Sequence, residues 1–253
     1  MVGTRLGSIV SIAPDVDSGI DFIAPGSLQL IPTPGLPIQF TISDGTPLTL
    51  REVRPDDIQK FYAALLSVIQ SGGGYGVDEL PDLAYFVKCY VNGWRNMVFE
   101  LSETAEPVAY ANTDGPSVFS RSATDAAIAD GGNMIVVEKF RGKGWYFEMM
   151  SMGMIRLMRN NKSSTIHQKI CVGYQGDMAL TNIINYATAR KFGYRVNGTL
   201  PRGIYLQGHG WIDVLLFYMT HDEMIAAKSG IKPSHRSVPV TQVFEESSTN
   251  SKL

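Results

Sequence analysis

Alternating and helical runs of hydrophobic positions follow one another along most of the chain. Residues 38–53, IQFTISDGTPLTLREV, contain two alternating β-rich runs around an Asp-Gly pair, which predicts a hairpin. A helix is predicted to begin near Pro55, because proline and the acids after it suit a first turn, and to end at the glycines of 72–74. Its apolar face, which should pack on a sheet, is Ile58, Phe61, Tyr62, Leu65, Leu66 and Ile69.

A second helix, two strands and a polar connection are predicted next. The helix covers 81 to about 90, and the strands cover 96–101 (NMVFEL) and 107–113 (PVAYANT). The apolar stripe of the helix is Leu83, Phe86, Val87 and Tyr90. Residues 113–130 are small and polar, and we predict a substrate-proximal loop because long connections in compact domains are often functional. A disordered insertion is the alternative.

Residues 131–153, GGNMIVVEKFRGKGWYFEMMSMG, contain an apolar strand, a basic turn rich in glycine and the beginning of a helix. The face of this helix that should cover the sheet is Phe147, Met150, Met154, Ile155 and Met158. A strand at 166–173, a helix at 181–192 and a hairpin over 194–219 are predicted to complete the domain.

The two ends of the chain lack this periodicity. Residues 1–38 are rich in proline and predict an extended arm that wraps the domain or an oligomer partner. Residues 228–253 are dominated by small and polar side chains, and we expect a flexible tail. The domain division is therefore an arm over 1–38, one domain over 39–227 and a tail over 228–253.

Composition narrows the function classes. The 253 residues are 44% hydrophobic, which suffices for a substantial core. A net charge of -2 and a pI near 6.1 disfavour a general nucleic-acid binder. Cys89 and Cys171 form neither a metal pair nor a C-x-x-C motif, so no disulfide framework is expected and a reducing, cytoplasmic compartment is favoured. The histidines lack metal-binding spacing, and no apolar run is long enough for a membrane span.

The glycine-rich turn after residue 137 predicts a phosphate cradle. Backbone N–H groups at a helix N-terminus lack intrahelical partners and attract anions, and glycine allows close approach and positive φ. The residues that would line the cradle are Arg141, Gly142, Lys143, Gly144, Trp145 and Tyr146. The turn fits neither G-x-G-x-x-G nor the P-loop pattern, so a merely structural strand-to-helix turn remains the alternative.

The order of these motifs resembles the GCN5-related N-acetyltransferase family. The match consists of the R-x-x-G-x-[G/A] turn beginning at Arg141, the helix in which Asn182 precedes Gly193-Tyr194, and the closing GHGWIDVLLFYM. It covers about Gln39 to Met219, and the first half resembles the branch of azetidine-carboxylate (proline-analogue) N-acetyltransferases. The resemblance implies an α/β (α+β) fold, with helices on both faces of a mixed sheet and a V-shaped splay between two parallel strands.

The resemblance also implies a cosubstrate and a set of site residues. Acetyl-CoA would lie in the splay, with its diphosphate at the cradle and Asn182 in the later helix motif. Backbone groups of Ile135, Val136 and Val137 would bind the pantetheine arm, and one amide would polarise the thioester carbonyl. A base must deprotonate the acceptor amine, and a tyrosine usually protonates the leaving thiolate.

The chain departs from the family pattern at three positions. Tyr146 replaces the small last residue of the cradle motif, and Gly131 replaces an asparagine of the proline-analogue branch. Ala189 occupies the position of the usual acid tyrosine; Tyr186, on the same helix face, could substitute, although it also suits the core.

The base is left open between three candidates. Asp130 could face the acceptor or be an ordinary loop acid. His209 lies between glycines in a hairpin and could be either the base or an exposed turn histidine. Glu138, beside Arg141, is more consistent with an ion pair. Asp213 matches an acid of the closing strand for which a structural role is expected.

Two hypotheses follow. The first is an acyl-CoA-dependent N-acetyltransferase that acts on a small amine or imino acid by direct attack, without a metal, and that could form a homodimer. The second is a protein of the same fold that has lost CoA chemistry, either a CoA-independent cyclase or isomerase or a small-molecule binder. The second would be expected to fill the splay with aromatic side chains of residues 145–147.

Overall fold

A computed structural model of the protein describes the chain from residue 28 to residue 223 with gaps. The described ranges are 28–71, 80, 82–113, 115–116, 126–130, 133–160, 165–166, 169–179, 195–206, 209–220 and 222–223. Within them only the backbone is described at 115–116, 126–130, 158–160, 165–166, 169–179 and 195. The predicted helix at 181–192, with Asn182, Tyr186 and Ala189, lies outside the described residues, as do residues 1–27, Gly131 and the predicted tail.

Five strands form an antiparallel sheet in the order β1-β2-β3-β4-β7. The strands are β1 (Ile38–Thr41), β2 (Pro47–Glu52), β3 (Arg95–Leu101), β4 (Pro107–Thr113) and β7 (Met134–Val136). The predicted hairpin over 38–53 is confirmed, with Phe40 opposite Leu48 and the turn at Asp44-Gly45. The strands predicted at 96–101 and 107–113 are confirmed as β3 and β4.

A second sheet has the order β10-β11-β9-β6-β5, and β8 pairs with β9. Its strands are β5 (Gly115–Pro116), β6 (Ala126–Asp130), β8 (Thr165–Ile166), β9 (Lys169–Ala179), β10 (Arg195–Leu206) and β11 (Gly210–Thr220). The pair β6–β9 is parallel, and the other strand pairs of the described residues are antiparallel. The closing hairpin predicted over 194–219 is confirmed as β10 and β11.

The helical segments precede β3 and follow β7. Helix α1 (Ile58–Gln70) begins after a 3-10 turn (Pro55–Asp57), and α2 (Leu83–Phe86) continues into a π-helical turn (Val87–Val91). After a 3-10 turn (Glu138–Phe140), α3 (Trp145–Glu148), a π-helical segment (Met149–Met154) and α4 (Ile155–Asn160) form one continuous run. We call 145–160 the cradle helix. These helices confirm the predictions for 55–71, 81–90 and the segment after the glycine-rich turn.

Helices cover both faces of the first sheet, as predicted. Side chains alternate across a strand, so Met97 and Phe99 of β3 face one side and Val98 faces the other. The first side packs on Trp145, Met149, Met154 and Leu157 of the cradle helix. The second packs on Ile58, Phe61 and Leu65 of α1 and on Phe86 and Val87 of the α2 region. The aromatic rings of Phe61 and Tyr110 stack there with centroids 5.0 Å apart.

The loop predicted over 113–130 requires a correction. Residues 126–130 form β6, which is hydrogen-bonded to β5 on one side and to β9 on the other. The run AAIAD has weak strand propensity by itself, but two neighbouring strands supply partners for its backbone, and such pairing outweighs local preference. The strand predicted at 166–173 likewise extends to Ala179 because β11 pairs with its second half.

The part of the predicted arm that the structure describes packs on the domain itself. Leu28 and Leu30 contact the cluster formed with α1 and α2. The Gln29 amide donates to Asn92 Oδ1 at 2.8 Å, and the Thr33 amide donates to Glu52 Oε1 at 2.5 Å. These contacts hold residues 28–33 against the domain.

An ion cluster ties the start of α1 to the first sheet. Arg51 Nε lies 2.6 Å from Glu100 Oε2, and Arg51 Nη1 lies 2.7 Å from Asp57 Oδ2. Asp57, 5% exposed, also accepts the Arg54 amide at 2.8 Å. Burial by itself raises the pKa of the Asp57 carboxyl, but the hydrogen bonds from Arg51 and Arg54 outweigh it, so the pKa lies below its ordinary value.

We expect Asp57→Asn to lower the free energy of unfolding by about 3 kcal/mol, near the lower end of the cost of breaking a buried ion pair, because Glu100 still faces Arg51. The wild-type contribution is present above the unfolded-state pKa of about 3.9 and is lost as pH falls through the lower folded-state pKa. Urea unfolding at neutral and acid pH should therefore show a smaller difference between the two proteins in acid. Asp56→Asn, at the exposed neighbouring acid, is the control and should change stability by less than about 0.5 kcal/mol.

Gly153 lets the cradle helix approach β3 closely. A Cβ at this position would overlap the ring of Phe99, which is fully buried. We expect Gly153→Ala to lower the free energy of unfolding by about 1–3 kcal/mol, the usual cost of overfilling a packed core. Thermal denaturation should show no comparable loss for Gly198→Ala, since a Cβ there meets no described atom within 4 Å. An equal loss in both variants would contradict the role of packing at Gly153.

Candidate active site

Two strands that are neighbours at one end separate at the other. Strand β6 pairs with β9 in parallel as far as Asp130, opposite Gln175. Beyond that point the chain continues as β7, which pairs with β4 and has no second strand partner among the described residues. Residues 176–179 of β9 pair with β11. We call the gap between 134–136 and 176–179 the wedge, and it confirms the predicted splay.

The register of β7 decides which backbone groups face the wedge. Asn112 and Asn133 exchange both backbone hydrogen bonds, at 2.9 and 3.2 Å, and the Val137 amide donates to the Val108 carbonyl at 2.9 Å. Since backbone groups alternate between the two edges of a strand, those of Ile135 point to β4 and those of Met134 and Val136 point into the wedge. Of the three residues predicted to bind a pantetheine arm, only Val136 therefore directs its backbone to the wedge.

The glycine-rich turn has the backbone conformation that a cradle requires. Gly142 and Gly144 adopt φ of 77° and 78°, in the left-handed region that favours glycine. Gly144 is the N-cap of the cradle helix and provides no side-chain cap, so the first amides of the helix keep their anion-binding capacity. Gly142, Lys143 and Gly144 are exposed, and a Cβ on either glycine would meet no described atom within 4 Å.

Aromatic packing anchors the cradle to the core. Trp145 is 7% exposed and stacks on Phe140, with ring centroids 5.5 Å apart. Lys143 Nζ lies 4.8 Å from the Trp145 ring centroid, so its ammonium group is held beside the turn by a cation–π contact. Tyr146 is partly exposed, and its ring meets Phe147 edge-on at 5.8 Å.

The turn between β1 and β2 contacts the beginning of the cradle helix. Trp145 Nε1 donates to Asp44 Oδ2 at 2.8 Å, and the amide and hydroxyl of Ser43 donate to Glu148 at 2.7 and 2.8 Å. Hydrogen bonds from Thr46, followed by the one from Trp145, keep the pKa of Asp44 below its ordinary value. Asp44 is therefore an anion at neutral pH.

Arg141 links the cradle to β7 and α1. Its Nε donates to the Val136 carbonyl at 2.9 Å, and its Nη2 lies 3.5 Å from Ser67 Oγ. The Ser67 hydroxyl in turn donates to Glu138 Oε2 at 3.3 Å. Ser67 thus joins Glu138 to Arg141 through two hydrogen bonds. The sequence had predicted an ion pair for Glu138.

Asp130 and His209, the other two base candidates, occupy different places. Asp130 ends β6, so its backbone lies at the apex of the wedge. His209 is exposed in the turn between β10 and β11, and its amide donates to the Leu206 carbonyl at 3.0 Å. Asp213 accepts the Arg202 amide at 2.9 Å, where φ is 49°, which agrees with the structural role expected for it.

Three residues of this region were not predicted from the sequence. Met134 contributes backbone groups to the wedge, Ser67 contacts Arg141, and Asp44 holds the Trp145 indole. The register of β7 was not legible because a three-residue strand carries no periodicity. Ser67 and Asp44 lie far from the turn in sequence, and only folding brings them to it. Among the described residues there is no cluster of three metal-ligating side chains, and no helix combines the length and hydrophobicity of a membrane crossing.

The wedge, with the glycine-rich turn at the end of one of its strands and helices on both faces, defines the fold of the GCN5-related N-acetyltransferases. Neither a protein-family model nor a curated protein matches the chain. Solved structures do match, with sequence identities low enough that they establish the fold alone.

Three of these structures illustrate the match. A GCN5-related N-acetyltransferase from Kribbella flavida is 17% identical, with 68% of this chain and 97% of that chain covered and a TM-score of 0.51. An N-acetyltransferase from Staphylococcus aureus Mu50 is 17% identical, with 69% and 98% covered and a TM-score of 0.52. The spermidine N-acetyltransferase from Vibrio cholerae in complex with CoA and spermine is 15% identical, with 70% and 98% covered and a TM-score of 0.52.

Proposed function

We propose that the protein is an acyl-CoA-dependent N-acetyltransferase that acts on a small amine or imino acid. The observation that carries the proposal is the cradle itself. Two left-handed glycines and an uncapped helix N-terminus follow the strand that borders the wedge, one 3-10 turn further along the chain. A ligand with a diphosphate at one end and an extended arm at the other suits this arrangement, and coenzyme A has that form.

The residues present fit such a ligand. The amides of 142–146 would receive the diphosphate, because no described atom lies within 4 Å of a Cβ placed on Gly142 or Gly144. Arg141 and Lys143 add positive charge beside these amides. Backbone groups of Met134 and Val136 would bind the arm, because they face the wedge. Asn182 belongs to the proposed site through the family motif. When bound, acetyl-CoA supplies an activated acyl group for direct attack by an amine.

Asp130 is the base that the backbone geometry favours, since β6 ends with it at the apex of the wedge. His209 is the second choice: its hairpin turn lies beyond the end of β9, because β11 pairs with β9 from Val214 onward. Tyr186 is proposed as the proton donor to the departing thiolate, on the helix spacing described above. A general acid or base of this kind typically contributes about 10²–10⁴-fold to a rate.

The acceptor class has support from two sources. The sequence resemblance favours proline-like imino acids, as in the azetidine-carboxylate branch. One protein with this fold, the spermidine N-acetyltransferase, is seen with spermine, which is a small amine. We extend the proposal to a cytoplasmic enzyme without a metal, on the cysteine and histidine pattern, and to a homodimer, on the proline-rich arm.

The rival function, a scaffold without CoA chemistry, expects aromatic side chains in the wedge. Trp145 does not meet that expectation, because its indole is buried against Phe140 and bonded to Asp44. Tyr146 and Ala189 favour the rival, since Tyr146 stands where the family has a small side chain and Ala189 where it has the acid tyrosine. Binding of acetyl-CoA separates the two functions.

We expect the wild-type protein to bind acetyl-CoA and Gly144→Glu to abolish this binding, because the new carboxylate would stand among the amides that receive the diphosphate. Isothermal titration calorimetry measures the affinity, and circular dichroism checks that the domain stays folded. Gly210→Glu is the matched control: it adds the same charge at another left-handed glycine (φ 76°) with open space. It should keep the wild-type affinity. Equal binding by Gly144→Glu would refute the cradle.

A further inference from the structure

Arg141 lies against β7, the strand that borders the wedge, as well as beside the cradle. Its Nε donates to the Val136 carbonyl at 2.9 Å, and its guanidinium extends to Ser67 on α1. Ser67 is itself bonded to Glu138, so the guanidinium is held between β7 and α1 by groups from both elements. Arg141 is partly buried in this position.

The carbonyl that Arg141 contacts is one that the wedge would offer to a ligand. The ladder to β4 uses the backbone groups of Asn133 and Val137, and those of Val136 point to the opposite edge. A charged donor on a carbonyl makes a stronger hydrogen bond than a neutral amide does. With the guanidinium on one of its two lone pairs, the Val136 oxygen is available to a neutral pantetheine amide only if the amide shares it with a bulky charged group.

A diphosphate at the cradle changes this competition. It would sit at the amides that begin at Gly142, next in sequence to Arg141, and a multiply charged anion attracts a guanidinium more strongly than a neutral carbonyl does. The long arginine stem can turn from one acceptor to the other. A ligand shifts such an equilibrium only by its different affinity for the two states.

We propose that Arg141 controls binding in the wedge. Without a ligand its guanidinium is hydrogen-bonded to the Val136 carbonyl, and the diphosphate of the ligand attracts the guanidinium away from that oxygen. We call this arrangement the latch. The wedge then selects thioesters of coenzyme A over pantetheine thioesters that lack the diphosphate. This inference rests on the proposed function and names the residue that would make binding of the arm conditional on binding of the diphosphate. Arg141 is a specificity-determining residue in this account, with Ser67 as its positioning residue.

The test compares two ligands, acetyl-CoA and S-acetylpantetheine, by calorimetric titration of the full chain. Arg141→Met keeps most of the stem and removes its donors. We expect this variant to bind acetyl-CoA ~10- to 100-fold more weakly, and S-acetylpantetheine at least ~3-fold more tightly than wild type does. If Arg141 had only a structural role, its replacement would weaken the binding of both ligands.

Two further variants sharpen the comparison. Lys143→Ala removes a cradle charge whose ammonium group lies over the rings of Trp145 and Phe140. This variant should bind acetyl-CoA more weakly than wild type does and bind S-acetylpantetheine with unchanged affinity. Ser67→Ala removes a hydrogen-bond partner of the guanidinium but keeps the arginine, so it should strengthen the binding of S-acetylpantetheine by a smaller factor. This variant replaces Arg141→Met in the test if Arg141→Met does not fold.

The outcomes separate the latch from the proposed function. If wild type binds acetyl-CoA but neither Arg141→Met nor Ser67→Ala binds S-acetylpantetheine more tightly than wild type does, the latch is overturned and the acetyltransferase proposal stands. If wild type fails to bind acetyl-CoA, both fall together. Opposite changes for the two ligands in Arg141→Met would support the latch.

Discussion

The structure of the candidate site depends on one constraint: the chain leaves the second sheet at the end of β6 and enters the first sheet as β7. The chain pairs with β9 up to Asp130 and then with β4 from Asn133 onward. A strand that leaves one neighbour exposes a row of backbone groups along that edge, and this row forms one side of the wedge. Asn112, 1% exposed, holds the point of departure: its Oδ1 accepts the Asn133 amide at 2.8 Å, and its Nδ2 donates to the Tyr90 carbonyl at 3.1 Å.

Core packing then places the cradle at the end of that strand. Phe140 and Trp145 flank the glycine-rich turn and belong to the same buried cluster as the first sheet, so the turn cannot move without disturbing the core. Gly153 allows the helix to lie close to Phe99, which fixes the direction in which its N-terminus points. The positive φ values at the turn are maintained by these contacts on either side.

The charges around the cradle have distinct tasks. Asp44 is occupied by the Trp145 indole, so the proposed anionic ligand would be bound by the backbone amides, Lys143 and Arg141. Arg141 also contacts β7, through the Val136 carbonyl. The ion cluster of Arg51, Asp57 and Glu100 lies on a different part of the sheet and stabilises the fold, since it joins α1 to β2 and β3.

The sequence by itself determined the local elements, including the glycine-rich turn. Alternation over 38–53, helical spacing from Ile58 and the motif at 141–146 are short-range patterns, and each was found where predicted. Only the tertiary structure decided that the small residues of 126–130 form a strand, that Val136 rather than Ile135 faces the wedge, and that Ser67 and Asp44 meet the cradle. Register and long-range contacts arise from pairing between distant segments, and periodicity within one segment carries no information about its partner.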